Sequence, residues 1–275
     1  MHGVNAVEAI GRWPAPHAAA GVVAGGEPGH RSSAGDLDRR FAWASVTKLV
    51  TALAVLVAAE EGTVDLDQPA GPPGATVRHL LAHASGLGDD PAVPLAPPGT
   101  RRVYSNAGYE VLAGVVATGA GMAFEDYLDA AVLDPLGMVA TRLEGSPAAG
   151  ALGPVADLLR LAHELLAPTV VAPSTLADAT RPAFADLAGV LPGFGGHSPN
   201  PWGLGPEIRG TKQPHWTGRD SSPATFGHFG RAGGFLWVDP GAGIACACLT
   251  DLDFGPWAAE AWPILSDAVL SEYRG

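Results

Sequence analysis

The chain has 275 residues, 16 basic against 28 acidic side chains for a formal charge of −12, 47% hydrophobic residues and 37 glycines. Such a length buries a large core, as one α/β domain or two intimate lobes, and the composition is that of a compact, folded protein and not a disordered one. With no basic stripe or tail to offset it, the acidic balance argues against nucleic acid or an anionic membrane surface as a partner.

The opening residues, Met1 to Glu8, lack a basic stretch followed by an apolar one. No secretory signal is therefore read, and the expected compartment is the cytoplasm. Residues 1–12 suit a short helix, and the stretches near 17–24 and 39–44 read as strands, with a Gly/Pro turn at 25–29 between elements. A helix over 45–61 is apolar on nearly all sides, hence buried, and ends at Gly62. It is too short for a membrane span and is interrupted by Thr51. Helical patterns follow at 77–83, 106–117, 124–132 and 156–166, separated by Pro/Gly-rich loops. Strands return at 203–208, 234–239 and 243–250, and a helix over 256–271 closes the chain. The two cysteines, Cys246 and Cys248, share one face of the last strand and read as small buried thiols, not a disulfide.

Strands at both ends with helices between them give an α/β (α+β) fold. One antiparallel sheet is flanked by helices beside an all-helical region, with a cleft at the junction as the natural site. We expect a single domain over 1–275, its sheet lobe drawn from 1–44 and 200–275 and its helical lobe from 45–199.

Only Lys48 and Lys212 are lysines. Lys48 lies in the first turn of the buried helix, where an ammonium must find a partner or give up its proton. Ser45, three residues earlier, shares its helix face. A hydroxyl beside a partly desolvated lysine is how a Ser-Lys hydrolase makes a nucleophile. The helix's positive end further lowers the lysine pKa and favours negative charge near Ser45. Tyr104-Ser105-Asn106 offers a phenol that can exchange protons and an amide that can orient a carbonyl; the plain alternative is a buried tyrosine and a helix-capping asparagine. His228-Phe229-Gly230 heads a glycine-rich strand, where glycine marks close approach of a backbone or ligand.

Together, in this order, these elements resemble the serine β-lactamase and penicillin-binding family, and within it the class C β-lactamase, DD-peptidase and esterase branch. Phe41 to Lys48 is similar to that branch's nucleophile motif. Gly62 to Pro69, Thr76 to Leu87, Pro135 to Met138 and Gly227 to Pro240 extend the similarity from about residue 17 to the C-terminus. The resemblance implies that Ser45 is acylated, that Lys48 takes its proton, and that Tyr104 passes a proton to the leaving group and activates the deacylating water. It implies that Asn106 holds the substrate's acyl-side amide or Lys48. His228 stands where the third motif opens, beside Gly230, and the main-chain N–H groups of Ser45 and Arg231 form an oxyanion hole. No metal or cofactor is expected.

Four departures bear on substrate. The third motif opens with His and not Lys, Phe229 replaces a small polar residue, Arg231 follows Gly230, and the loop over 86–104 is short and proline-rich. An apolar lip at Phe229 and an open cleft are expected. The Arg231 side chain either clamps a substrate carboxylate at the mouth or pairs with a surface acid. Among other candidates, His79 and His83 are spaced as a metal face but lack a third ligand and read as structural. Asp89-Asp90 and Glu60-Glu61 read as solvated charges. No Gly-x-Ser-x-Gly elbow or phosphate-binding loop occurs. The sequence thus points to a serine hydrolase of a small ester or amide. A D-alanyl carboxypeptidase or weak β-lactamase, and a non-catalytic binding protein on the same fold, are the alternatives.

Overall fold

The computed structural model describes residues 5–25, 30–90 and 93–273. A 3-10 turn at Ala6–Arg12 precedes strand β1 (Ala18–Ala24), which pairs with β2 (His30–Ala34). Past Gly25, the turn expected between them lies outside the described residues. β3 (Arg40–Ala42) and a 3-10 turn at Ala44–Val46 lead into helix α1 (Thr47–Glu60), which ends at Gly62 in the left-handed region, φ 75°. Helices α2 (Val77–Leu81), α3 (Ala107–Ala120) and α4 (Phe124–Leu128) follow, the last running into a π turn at Asp129–Leu133. β4 (Arg142–Leu143), β5 (Ala151–Pro154), α5 (Val155–Glu164) and α6 (Pro173–Ala179) come next, then the hairpin β6 (Gly189–Leu191) and β7 (Gly195–His197). β8 (Glu207–Ile208), β9 (Phe226–Gly230), β10 (Gly234–Asp239), β11 (Ile244–Thr250) and α7 (Pro256–Tyr273) complete the chain.

Strands from the two ends of the sequence form one antiparallel sheet in the order β2-β1-β11-β10-β9-β8. The intervening region is not all helical: β3, β5 and β4 make a small antiparallel sheet, and β6 and β7 pair by themselves. β3 falls within the strand expected near 39–44, but β4 to β7 have two to four residues each, too few for a period-2 pattern to stand out. The strand expected over 203–208 shrinks to Glu207–Ile208, because the chain curls at Gly205 (φ 121°), whose carbonyl accepts the Trp202 indole N–H at 3.1 Å.

Both faces of the large sheet are covered. Along β11, Ala245, Ala247 and Leu249 join the core shared with α1 and α5, while Ile244, Cys246 and Cys248 join the one under α7. Both cysteines are free and wholly buried, as their alternation predicts. Helix α5 lies close on β1 because Gly21 has no side chain; a Cβ there would sit 2.6 Å from Leu159 Cδ1. In α1 every residue from Thr47 to Ala58 is buried, Lys48 included. Among the described residues no single helix is long and apolar enough to cross a membrane.

The edge strand β8 is fixed by a buried charge cluster. The Glu207 carboxylate, 1% exposed, accepts from the Lys212 ammonium, from His215 Nε2 at 3.0 Å and from Trp216 Nε1 at 3.0 Å. Lys212 also donates to Asn200 Oδ1 (3.0 Å) and the Pro201 carbonyl (3.1 Å). Burial alone would raise the Glu207 pKa; His215 and Lys212 outweigh it and hold the carboxyl below its usual range. Lys212→Ala strands this carboxylate, so a stability loss of about 3–5 kcal/mol is expected in urea unfolding. A loss below about 1 kcal/mol would show that the pair behaves as an exposed one.

Candidate active site

The site is assembled on the turn that precedes α1. Ala44 adopts φ 44°, an uncommon conformation for a residue with a Cβ. The surroundings over-determine it. Trp43 donates its main-chain N–H to Ala151 O (2.9 Å) and its indole N–H to Gly153 O (3.1 Å), and Ala151 N–H donates back to Thr47 Oγ1 at 3.0 Å. Strand β5 therefore pins the turn from both sides and sets Ser45, half-buried, at the entry to the helix.

Lys48 is fully buried, and its Nζ lies 2.7 Å from Asn106 Oδ1, 2.9 Å from the Ala148 carbonyl and 3.3 Å from Ser45 Oγ. Burial lowers its pKa to about 7, against a weak opposing pull from Asp89 and Glu110. A neutral amine has two N–H donors and one lone pair. The Asn106 and Ala148 oxygens can only accept, so they keep the two N–H bonds. The lone pair then faces Ser45, the one neighbour with a proton to give. Of the two expected roles of Asn106, the geometry shows the hold on Lys48; its side chain makes no capping bond to α3.

The Tyr104 ring centroid lies 4.8 Å from Lys48 Nζ, and Ser45 is close enough to its hydroxyl to affect its titration. Burial raises its pKa well above the usual phenol value, so it is held as a proton donor. His83 (4.6 Å between centroids), His228 (5.9 Å) and Trp202 (6.0 Å) surround the ring. His228 is 3% exposed and its Nδ1–H donates to the Phe229 carbonyl at 2.7 Å. That bond fixes the tautomer and leaves Nε2 a lone-pair acceptor. Burial and the nearby Lys48 push the His228 pKa down to about 3, so it is neutral at any ordinary pH.

Strand β9 brings its end against the Ser45 turn at Gly230. A Cβ there would meet Trp43 O at 2.3 Å and Ser45 N at 3.2 Å, so only glycine permits the approach that sets the start of the β9–β10 turn beside the Ser45 amide. Ser45, Tyr104, Asn106, His228 and Arg231 all line one cleft of about 990 Å³. Phe229 lines it too, as the expected apolar lip, backed by Phe254 and Trp216 at 5.3 and 5.6 Å. The Arg231 side chain is exposed at this cleft and pairs with no acid among the described residues.

The remaining candidates separate cleanly. His79 Nδ1 engages Thr76 at the start of α2, whereas His83 Nδ1 accepts the Ser105 N–H at 3.1 Å, and among the described residues no His/Cys/Asp/Glu cluster could hold a metal. Asp89 is exposed, as expected of a turn charge, but lines the cleft. Glu60 and Glu61 are exposed, as expected, and also accept from Ala172 N–H and from the Tyr127 hydroxyl. Sequence reasoning missed the Ala148 carbonyl, which no side-chain pattern can flag, and the Glu207–Lys212 cluster behind Trp202. The scarcity of lysine was the one available signal for Lys212.

A sequence model of the beta-lactamase family matches residues 8–270, and the chain belongs to that family. A β-lactamase structure from Mycobacterium bovis is 55% identical, with a TM-score of 0.95 over 98% of this chain and 99% of that one. Simvastatin synthase from Aspergillus terreus (16% identical, TM-score 0.80, 98% and 93% covered) and EstCE1, a hydrolase with promiscuous acyltransferase activity (18%, 0.77, 96% of each), share the fold. Penicillin-binding protein 4* of Bacillus subtilis is 30% identical over 136 residues, 38% of this chain and 30% of that protein's length.

Gly230→Ala should leave the protein folded but slow labelling of Ser45 by a fluorophosphonate on the order of a hundredfold, since small displacements of reacting groups have effects of that size. Gly114→Ala, where a Cβ meets nothing within 4 Å, is the control and should label normally. Equal labelling of both variants would mean that β9 does not set the geometry at Ser45.

Proposed function

We propose that the protein is a serine hydrolase that cleaves a small carboxylic ester or amide through an acyl-enzyme on Ser45. The observation that carries this reading is the Lys48 amine. It is buried, its pKa is lowered to about 7, and two pure acceptors hold its Nζ 3.3 Å from Ser45 Oγ. Ser45 gives its proton to Lys48 as Oγ attacks the carbonyl, and the negative oxygen is received by the main-chain N–H groups of Ser45 and Arg231. Tyr104 donates its proton to the leaving oxygen or nitrogen and recovers one from the Lys48 ammonium. In deacylation water gives a proton to the regenerated Lys48 amine, and Ser45 departs with a proton as the acid is released. This gives Lys48, and not the strongly protonated Tyr104, the part of base in both halves.

A second reading, β-lactam hydrolysis, is favoured by the 55% identity to a structure described as a β-lactamase. Against it stands the third motif. His228 is neutral and Phe229 has no hydroxyl, so neither offers charge or a donor to a β-lactam carboxylate. A D-alanyl carboxypeptidase faces the same obstacle.

Four outcomes are expected. A fluorophosphonate should add to wild type and not to Ser45→Ala by intact mass; labelling that survives the substitution would remove Ser45 from the role, and no labelling of wild type would favour a binding protein. The kcat/KM profile should rise with pH through about 7 as Lys48 loses its proton, then stay level. Lys48→Arg, which keeps charge but cannot deprotonate, should lose on the order of a thousandfold. Short aryl esters should also outrun a chromogenic β-lactam in kcat/KM, and the reverse order would install the second reading.

A further inference from the structure

The cleft is larger than the chemistry at Ser45 requires. About 990 Å³ lies at the upper end of small-molecule sites, while a short acyl ester fills a small part of it. Two features of the surplus space point the same way. Its walls away from Ser45 are apolar: Leu191, Phe229 and Phe254 line it, and Leu95 and Val190 stand at its edge 66% and 51% exposed. Large aliphatic side chains left bare at the rim of a pocket mark surface that a ligand covers.

The second feature is charge. Arg101, on the loop before Tyr104, and Arg231, on the turn after β9, approach the same cleft from the two lobes, and both are exposed. Neither guanidinium is ion-paired or hydrogen-bonded to another described residue. In a molecule of net charge −12, two such guanidinia facing one cleft make a local attractor for anions. Asp89 is the exposed acid that also lines the cleft; Glu207 is neutralised by its own buried partners.

The side of the scissile bond follows from the packing around Tyr104. The leaving group must meet the Tyr104 hydroxyl, and that ring is closed in by His83, Trp202 and His228. The open, apolar and cationic part of the cleft therefore receives the acyl side. A carboxylate next to the scissile carbonyl would face the His228 wall, which offers a lone pair and no charge. Resting on the hydrolase reading above, we propose that the preferred acyl group is an apolar chain ending in a carboxylate, the chain lying on the Phe229–Phe254 wall and the carboxylate clamped between Arg101 and Arg231.

The test compares para-nitrophenyl monoesters of octanoic, suberic and succinic acids, which share one leaving group. Acylation of Ser45 by para-nitrophenyl acetate is first measured by intact mass; its absence overturns the hydrolase reading and this inference with it. Where the acyl-enzyme forms, the suberate ester should exceed the octanoate ester in kcat/KM on the order of tenfold, through KM, as a charge-assisted pair allows. The succinate ester, too short to reach the mouth, should show no such gain. Added salt should erode the preference, because the arginines are exposed. Arg101→Ala and Arg231→Ala should each reduce it, and the double variant should bring the suberate-to-octanoate ratio close to unity. Equal rates for suberate and octanoate in wild type, or a preference that survives the double variant, would overturn the inference alone.

Discussion

The site depends on keeping one amine dry. An ammonium in water holds its proton until pH 10.5, and Lys48 releases it near 7 because α1 is buried along its whole first three turns. Dryness alone would leave the amine free to point anywhere, so the two fixed acceptors matter as much. Asn106 is set by the start of α3, and Ala148 by the segment that enters β5. The strained turn at Ala44, the β5 contacts around it and the enclosure of Tyr104 all serve the same geometry.

The two lobes contribute differently. The helical side carries Ser45, Lys48, Tyr104 and Asn106, and the large sheet carries His228 and Phe229 on the facing wall of the cleft. Besides the packing of α5 on the large sheet, the two lobes meet beside the site at the Gly230 backbone, where a Cβ would sit 2.3 Å from Trp43 O. Behind that wall the only other lysine of the chain is also buried, paired with Glu207 on the edge strand. Both lysines are thus interior residues, and the exposed positive charge is left to arginine. A lysine-poor surface has no bearing on catalysis, but it makes each lysine in this sequence a marker of an interior site.

Membership of the beta-lactamase family fixes the scaffold and leaves the substrate open. Solved structures that share the fold include a synthase and a hydrolase at 16% and 18% identity, where fold is all that is shared. The departures at the third motif decide more. The His228 tautomer, held by its bond to the Phe229 carbonyl, converts a position that could have carried positive charge into a neutral acceptor. The side chain of Phe229 joins an aromatic wall with Phe254 and Trp216. The exposed positive side chains that line the cleft are the arginines Arg101 and Arg231.

The sequence by itself determined the elements whose patterns are long or chemically singular. The all-apolar run of α1, the two-sided alternation of β11, the closing helix and the sheet made from both chain ends were legible because burial selects side chains at each position. So were Ser45, Lys48, Tyr104, Asn106 and His228 as candidates, through an ionisable residue in an apolar helix and motif order along the chain. Only the tertiary structure decided what joins them. β4, β5 and the β6–β7 hairpin were invisible because strands of two to four residues carry too little period. The Ala148 carbonyl was invisible because a main-chain acceptor has no sequence identity. The His228 tautomer, the place of His83 against Tyr104, and the meeting of Arg101 with Arg231 at one cleft depend on distances between residues remote in the chain. Such distances are set by packing, and no local pattern encodes them.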